Sequence, residues 1–128
     1  MKYVGADLST LNFNSSNIKQ FHRTMPITKQ EALEIGKQFA QAVKEKLDAS
    51  ADIYLFGSAV RGNVHIDSDI DIVVISDVFK QDYITNIGII YRLAYDISRD
   101  IEVHAFDTSQ WDKGNVHKIE VKSGGIPL

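Results

Sequence analysis

The order of periodicities along this chain predicts an α/β fold of the α+β kind, a small mixed sheet with helices mainly on one face. Three observations lead there. A long amphipathic helical stretch precedes two short apolar runs with strand character, Asp52 to Phe56 and Ser68 to Ile75. A second helical stretch separates the latter run from a third, Ile101 to Phe106. A helix between two strands implies that they lie parallel, joined by a right-handed crossover.

The bulk properties suit one ordinary domain. The chain has 128 residues, 44% apolar and 24% charged, with a formal charge of −3 and no cysteine. That length supports one core, and the composition is that of a globular protein, not a fibrous or disordered one. Without cysteine there is no disulfide scaffold or thiolate metal site, which fits a reducing compartment. The acidic balance and the lack of a basic run argue against nonspecific nucleic-acid binding. No apolar window is long enough to span a bilayer, and Gly5, Ala6 and Asp7 interrupt any signal-peptide core, so the expected location is cytoplasmic.

Residues 1–26 read as a polar, irregular N-terminal arm, with Asn12, Asn14, Ser15, Ser16 and Asn17 in close succession and Phe13 and Phe21 as anchors. The domain proper is expected over 27–128. Thr28 and Glu31 form a T-x-x-E capping box. Ala32, Leu33, Gly36, Phe39, Ala40, Val43 and Leu47 then recur on one face of a helix over roughly 29–48. D-I-Y-L-F (52–56) is a short apolar strand stopped by Gly57, and 57–68 is a loop or single turn. S-D-I-D-I-V-V-I (68–75) is the second strand. Ser76 and Asp77 can cap a second helix, in which Tyr83, Ile87, Ile90, Ala94 and Ile97 recur at steps of four and three to its end near Ser98. I-E-V-H-A-F (101–106) alternates as the third strand. A short helix, 116–122, ends at Gly124 and Gly125.

The chemistry concentrates between Gly57 and Ile75. Side chains alternate along a strand, so Asp69 and Asp71 leave one face while Ile70, Ile72 and Val74 turn to the core. Neighbouring carboxylates on an apolar strand repel and are costly to desolvate unless a cation lies between them. Glu102, with Ile101 and Val103 facing away, aims at the same side from the third strand. Hard cations such as Mg²⁺ take carboxylate and phosphate oxygens. Three carboxylates on two strands suit two such ions about 3.5–4 Å apart. Gly57 permits close backbone approach, Ser58 supplies a hydroxyl, and Arg61 is one turn further on; with Ser68 they are the candidate nucleotide-phosphate contacts.

G-S-x3-G-x5-S-D-x-D followed by apolar residues resembles the signature of the DNA polymerase beta-like nucleotidyltransferases, most closely their minimal prokaryotic members. The likeness covers residues 30–106, and the ending G-G-I-P-L is similar to the family's usual close. It implies the nucleotidyltransferase fold, metal ligation by Asp69, Asp71 and Glu102, and phosphate contact by Gly57 and Ser58. It also implies a metal-dependent transfer of a nucleoside monophosphate, AMP from ATP by preference, to an acceptor hydroxyl. Larger relatives append a helical acceptor-binding domain, for which this chain has no room. The resemblance therefore points to a separately encoded HEPN-type helical protein as partner, with this chain as the antitoxin of a toxin–antitoxin pair. Two residues depart from the family pattern: the third acidic residue is usually aspartate, and Ala59 stands where a large or basic side chain is common.

Other readings remain open at this point. Glu102 in place of aspartate permits an inactive module that works by masking its partner. A stand-alone transferase acting on a small molecule, its acceptor pocket completed by the arm or by a homodimer partner, is another. Asp67, Asp69 and Asp71 mimic the start of an EF-hand, but Ile72 and Val78 stand where that loop needs glycine and glutamate. His65 and His104 read as surface or supporting groups, His22 and His117 carry no functional reading, and Tyr83, Tyr91 and Tyr95 read as padding.

Overall fold

A computed structural model describes residues 25–62 and 69–128. The expectations for residues 1–24, including Phe13, Phe21 and His22, and those for His65, Asp67 and Ser68 lie outside the described residues. Helix α1 (Lys29–Lys46) starts at the expected capping box. Glu31 N donates to Thr28 Oγ1 at 3.0 Å and Thr28 N to Glu31 Oε1 at 2.9 Å. Its buried stripe is Ala32, Gly36, Phe39, Ala40 and Val43, the spacing of one helix face. Strand β1 (Asp52–Phe56), a four-residue helix α2 (Ser58–Arg61) and strand β2 (Ile70–Ile75) follow. Then come α3 (Val78–Gln81), α4 (Tyr83–Ile97), β3 (Ile101–Phe106), α5 (Thr108–Asp112), α6 (Val116–Gly124) and the two-residue strand β4 (Ile126–Pro127).

The sheet order is β3-β2-β1-β4. β1 pairs antiparallel with β2 and β4, and β2 pairs parallel with β3, as the intervening helices require. One sheet face carries Ile53, Leu55, Ile70, Ile72, Val74 and Val103 into the main core with α1 and α4. Phe56, Val73 and Ile75 leave the other face and are covered by Trp111 of α5 and Val121 of α6. β2 is thus buried on both faces, with Asp71 alone not fully enclosed. No described helix is long and apolar enough to cross a membrane.

Besides α5, which the sequence reading leaves out, two features differ from the sequence expectation. The helix expected from Ser76 to Ser98 is two helices, broken at Asp82, whose φ of −138° and ψ of 81° are not helical. Asp82 Oδ1 accepts from Thr85 N at 3.3 Å and so restarts the helix as its cap. Ser76 caps α3 by accepting from Val78 N, but Asp77 turns away to accept from Thr108 N at 3.0 Å. β4 is the second difference, and it holds the C-terminal residues by Leu128 N donating to Ile53 O at 2.9 Å.

The exit of α1 is tied to the end of β2 through Asp48. Its carboxylate accepts from the buried Ser76 hydroxyl and from Ser50 N and Oγ. The Ser76 hydroxyl chiefly holds the Asp48 carboxyl below its ordinary 3.8. A lowered pKa in the folded chain means the unfolded chain binds that proton more tightly. The Asp48 contribution is therefore complete above the unfolded value and disappears as pH falls through the folded one. Asp48→Asn should lower unfolding stability by on the order of 1 kcal/mol near neutrality. In urea titrations the gap to the parent chain should narrow as pH falls from about 5 to about 2. A gap that stays constant over that range would refute the coupling.

Candidate active site

The site is built on strand register. Asp71 of β2 lies opposite Glu102 of β3 in the parallel ladder, and opposite Phe56 of β1 on its other side. All three leave the sheet on the same face. The chain must turn immediately after Phe56, and Gly57 does so at φ +84°. A Cβ at Gly57 would stand 2.4 Å from Asp71 Oδ2 and 3.2 Å from Asp71 Cβ. Only glycine leaves room for the carboxylate here. The Gly-Ser turn and the second aspartate of the motif are thus one packed unit.

Asp69, just before β2, is exposed, and Glu102 is exposed on an edge strand. The Glu102 carboxyl is pushed above its ordinary 4.5, first by local desolvation, then by its hydrogen bond to Asp71 and that group's charge, with a further hydrogen-bond contribution from Asp69. Of the three predicted acidic residues, Asp71 and Glu102 come together, while Asp69 is near enough to perturb Glu102 but lies outside their cluster. Oxygens of Asp71 and Glu102 and a ring nitrogen of His104 all lie within 4.8 Å of one another. An octahedral cation with bonds of about 2.1 Å sets neighbouring donors about 3 Å apart and opposite ones about 4.2 Å apart. The cluster is of a size that could hold such an ion.

His104, two residues beyond Glu102 on the same face, stands beside these carboxylates. Its Nε2 is 3.4 Å from Asp71 Oδ1, and the two side chains are only 18% and 23% exposed. That contact holds the imidazole above its ordinary value, against burial. Its ring meets Phe56 edge-on at 5.4 Å between centroids and lies 4.4 Å from the ring of His117 on α6. Burial, and then the charge of His104, push His117 below its ordinary value, and its Nδ1 is enclosed without a hydrogen-bond partner. Sequence reading left both histidines outside the site. The period-two alternation that placed Glu102 also places His104; nothing local announces His117, which arrives through the packing of α6.

Ser58 opens α2 beside Gly57 and is half-buried. Arg61, at the end of α2, pairs with Glu120 of α6 at 3.0 Å, with both side chains partly exposed. Ala59 is buried in the main core at 1% exposure, so a small side chain is what this position accommodates. Tyr83, Tyr91 and Tyr95 are exposed on α4.

Residues 37–123 match the family model described as a nucleotidyltransferase domain. A crystal structure of a candidate nucleotidyltransferase from Sulfolobus solfataricus covers 80% of this chain and 84% of its own, at 19% identity and a TM-score of 0.53, and shows the fold. Another, of a candidate nucleotidyltransferase, is 28% identical over 77% of this chain and 95% of its own, with a TM-score of 0.45. None of the curated proteins matches. The matched stretch runs from α1 into α6 and holds the Gly57 turn, both aspartates and Glu102, so the chain belongs to the nucleotidyltransferase domain family, enzymes that transfer a nucleotidyl group from a nucleoside triphosphate.

Proposed function

We propose that this chain transfers AMP from ATP to an acceptor hydroxyl, with Asp69, Asp71 and Glu102 holding Mg²⁺ and Gly57, Ser58, Arg61 and Ser68 contacting the nucleotide. The observation that carries this reading is the register pairing of Asp71 with Glu102 against the bare Cα of Gly57. A divalent cation bound there supplies charge neutralisation for the triphosphate and acidifies the attacking hydroxyl. The protein's own part is positioning. Glycine at 57 lets phosphate oxygens approach the backbone where they also face the carboxylate end of the sheet. The Ser58 hydroxyl donates to a phosphate oxygen. Arg61 swings from Glu120 to the phosphates, a small step because exposed ion pairs contribute at most about 1 kcal/mol.

For the acceptor, the reading is a hydroxyl on a separately encoded HEPN-type helical protein, in a cytoplasmic toxin–antitoxin pair with this chain as antitoxin. The resemblance to minimal nucleotidyltransferases supports it, and so does the exposure of Asp69 and Glu102, which lets a bulky acceptor approach.

Asp71→Asn and Glu102→Gln should each lower pyrophosphate release by on the order of a hundredfold to a thousandfold. Their thermal unfolding should stay within a few degrees of the parent or rise, since each removes a like charge. Parent-like turnover in both variants would exclude the carboxylate centre. Gly57→Ala should lower activity at least about tenfold and cost about 1–3 kcal/mol of stability, because the new methyl collides with Asp71 and strains the backbone. With ATP and Mg²⁺, intact-mass spectrometry of the HEPN-type partner should show a gain of one AMP. If pyrophosphate is released onto small hydroxylated acceptors while the partner's mass never changes, the acceptor assignment is wrong and the chemistry stands.

A further inference from the structure

We propose that His104 donates its Nε2 to the cation held by Asp71 and Glu102, making the centre a mixed oxygen–nitrogen site that binds Mn²⁺ more tightly than Mg²⁺. The inference rests on the reading of those carboxylates as a cation site and deepens it by naming a ligand and a metal preference. Nε2 stands 3.4 Å from Asp71 Oδ1, close to the edge of about 3 Å that two neighbouring donors span on one octahedral ion. A ring nitrogen of His104 and carboxylate oxygens of Asp71 and Glu102 fall inside a single 4.8 Å cluster. The imidazole is not a loose surface group. Phe56 meets it edge-on, the His117 ring lies against it, and its side chain is 18% exposed. A ring confined in that way loses little further freedom on ligation.

The chemistry of the donor then sets the preference. Mg²⁺ is a hard ion that takes oxygen and gives up its waters reluctantly, whereas imidazole nitrogen suits first-row transition dications. Mn²⁺ accepts carboxylate, phosphate and imidazole alike, so it occupies such a site without excluding Mg²⁺ from the reaction. The competing explanation is that His104 only hydrogen-bonds to Asp71 and never touches metal.

Pulsed electron paramagnetic resonance of the full chain loaded with Mn²⁺ alone separates the two. Modulation from a directly bonded imidazole ¹⁴N is expected in the parent chain and in His117→Gln, and its loss in His104→Gln. His104→Gln should also weaken Mn²⁺ binding about tenfold or more, while Mg²⁺ affinity, read by competition, shifts less than about threefold. Retained Mg²⁺ affinity also shows that the variant is folded. Mn²⁺ that binds, is lost in Asp71→Asn and shows no directly bonded nitrogen would overturn the His104 assignment and leave the carboxylate centre intact. Nitrogen coupling that persists in His104→Gln would overturn it equally. Absence of any Asp71-dependent Mn²⁺ binding would overturn both this inference and the functional reading beneath it.

Discussion

The structure turns on one unfavourable contact, Asp71 beside Glu102 at the start of two parallel strands. Like charges about 4 Å apart near a protein surface repel by on the order of 4 kcal/mol. The strand that carries Asp71 more than offsets this. Ile70, Ile72, Val73, Val74 and Ile75 are all buried, and each contributes about 1.5–3 kcal/mol. Apolar burial on both faces of β2 fixes the register, and the register then forces the two carboxylates together. A slip of one residue would relieve the repulsion and turn Ile70 and Ile72 out of the core, so it does not occur. The upward shift of Glu102 records how uncomfortable the site is as a bare cluster.

The two faces of the sheet divide the labour. The face with α1 and α4 holds the large core, including Phe39, Leu55 and Ile90, and carries stability. The opposite face is covered only in part, by Val121 of α6 and Trp111 of α5 over Val73, Ile75 and Phe56. That partial cover leaves Asp71, Glu102 and His104 at its margin, with enough enclosure to strengthen their interactions and enough opening to admit a ligand. Arg61 and Glu120 join α2 to α6 across this margin by a contact weak enough to be exchanged.

Much of this was legible in the sequence because it depends on short-range rules. The Thr28 capping box, the period of α1, the alternation of β2 and the parallel sense implied by a helix between strands all follow from local spacing. So does the shared face of Asp71 and Glu102. What escaped depends on competition or on distance. Asp82 breaks a helix whose apolar period runs on undisturbed, because its side chain satisfies Thr85 N better than another helical turn would. β4 has two residues and exists only because β1 offers an open edge. His117 reaches His104 through tertiary packing, which spacing along the chain does not encode.

Glu102 in place of the family's usual aspartate looks, from sequence alone, like a weakening of the site. Its surroundings argue the other way. β3 is the edge strand, and Glu102 lies directly opposite Asp71 while Asp69 lies before β2 begins. Both aspartates help to raise the Glu102 carboxyl, Asp71 more than Asp69. His104 Nε2 stands beside Asp71 Oδ1 at 3.4 Å. Glutamate at 102 therefore still forms an acidic cluster with Asp71, and His104 completes it from the same strand.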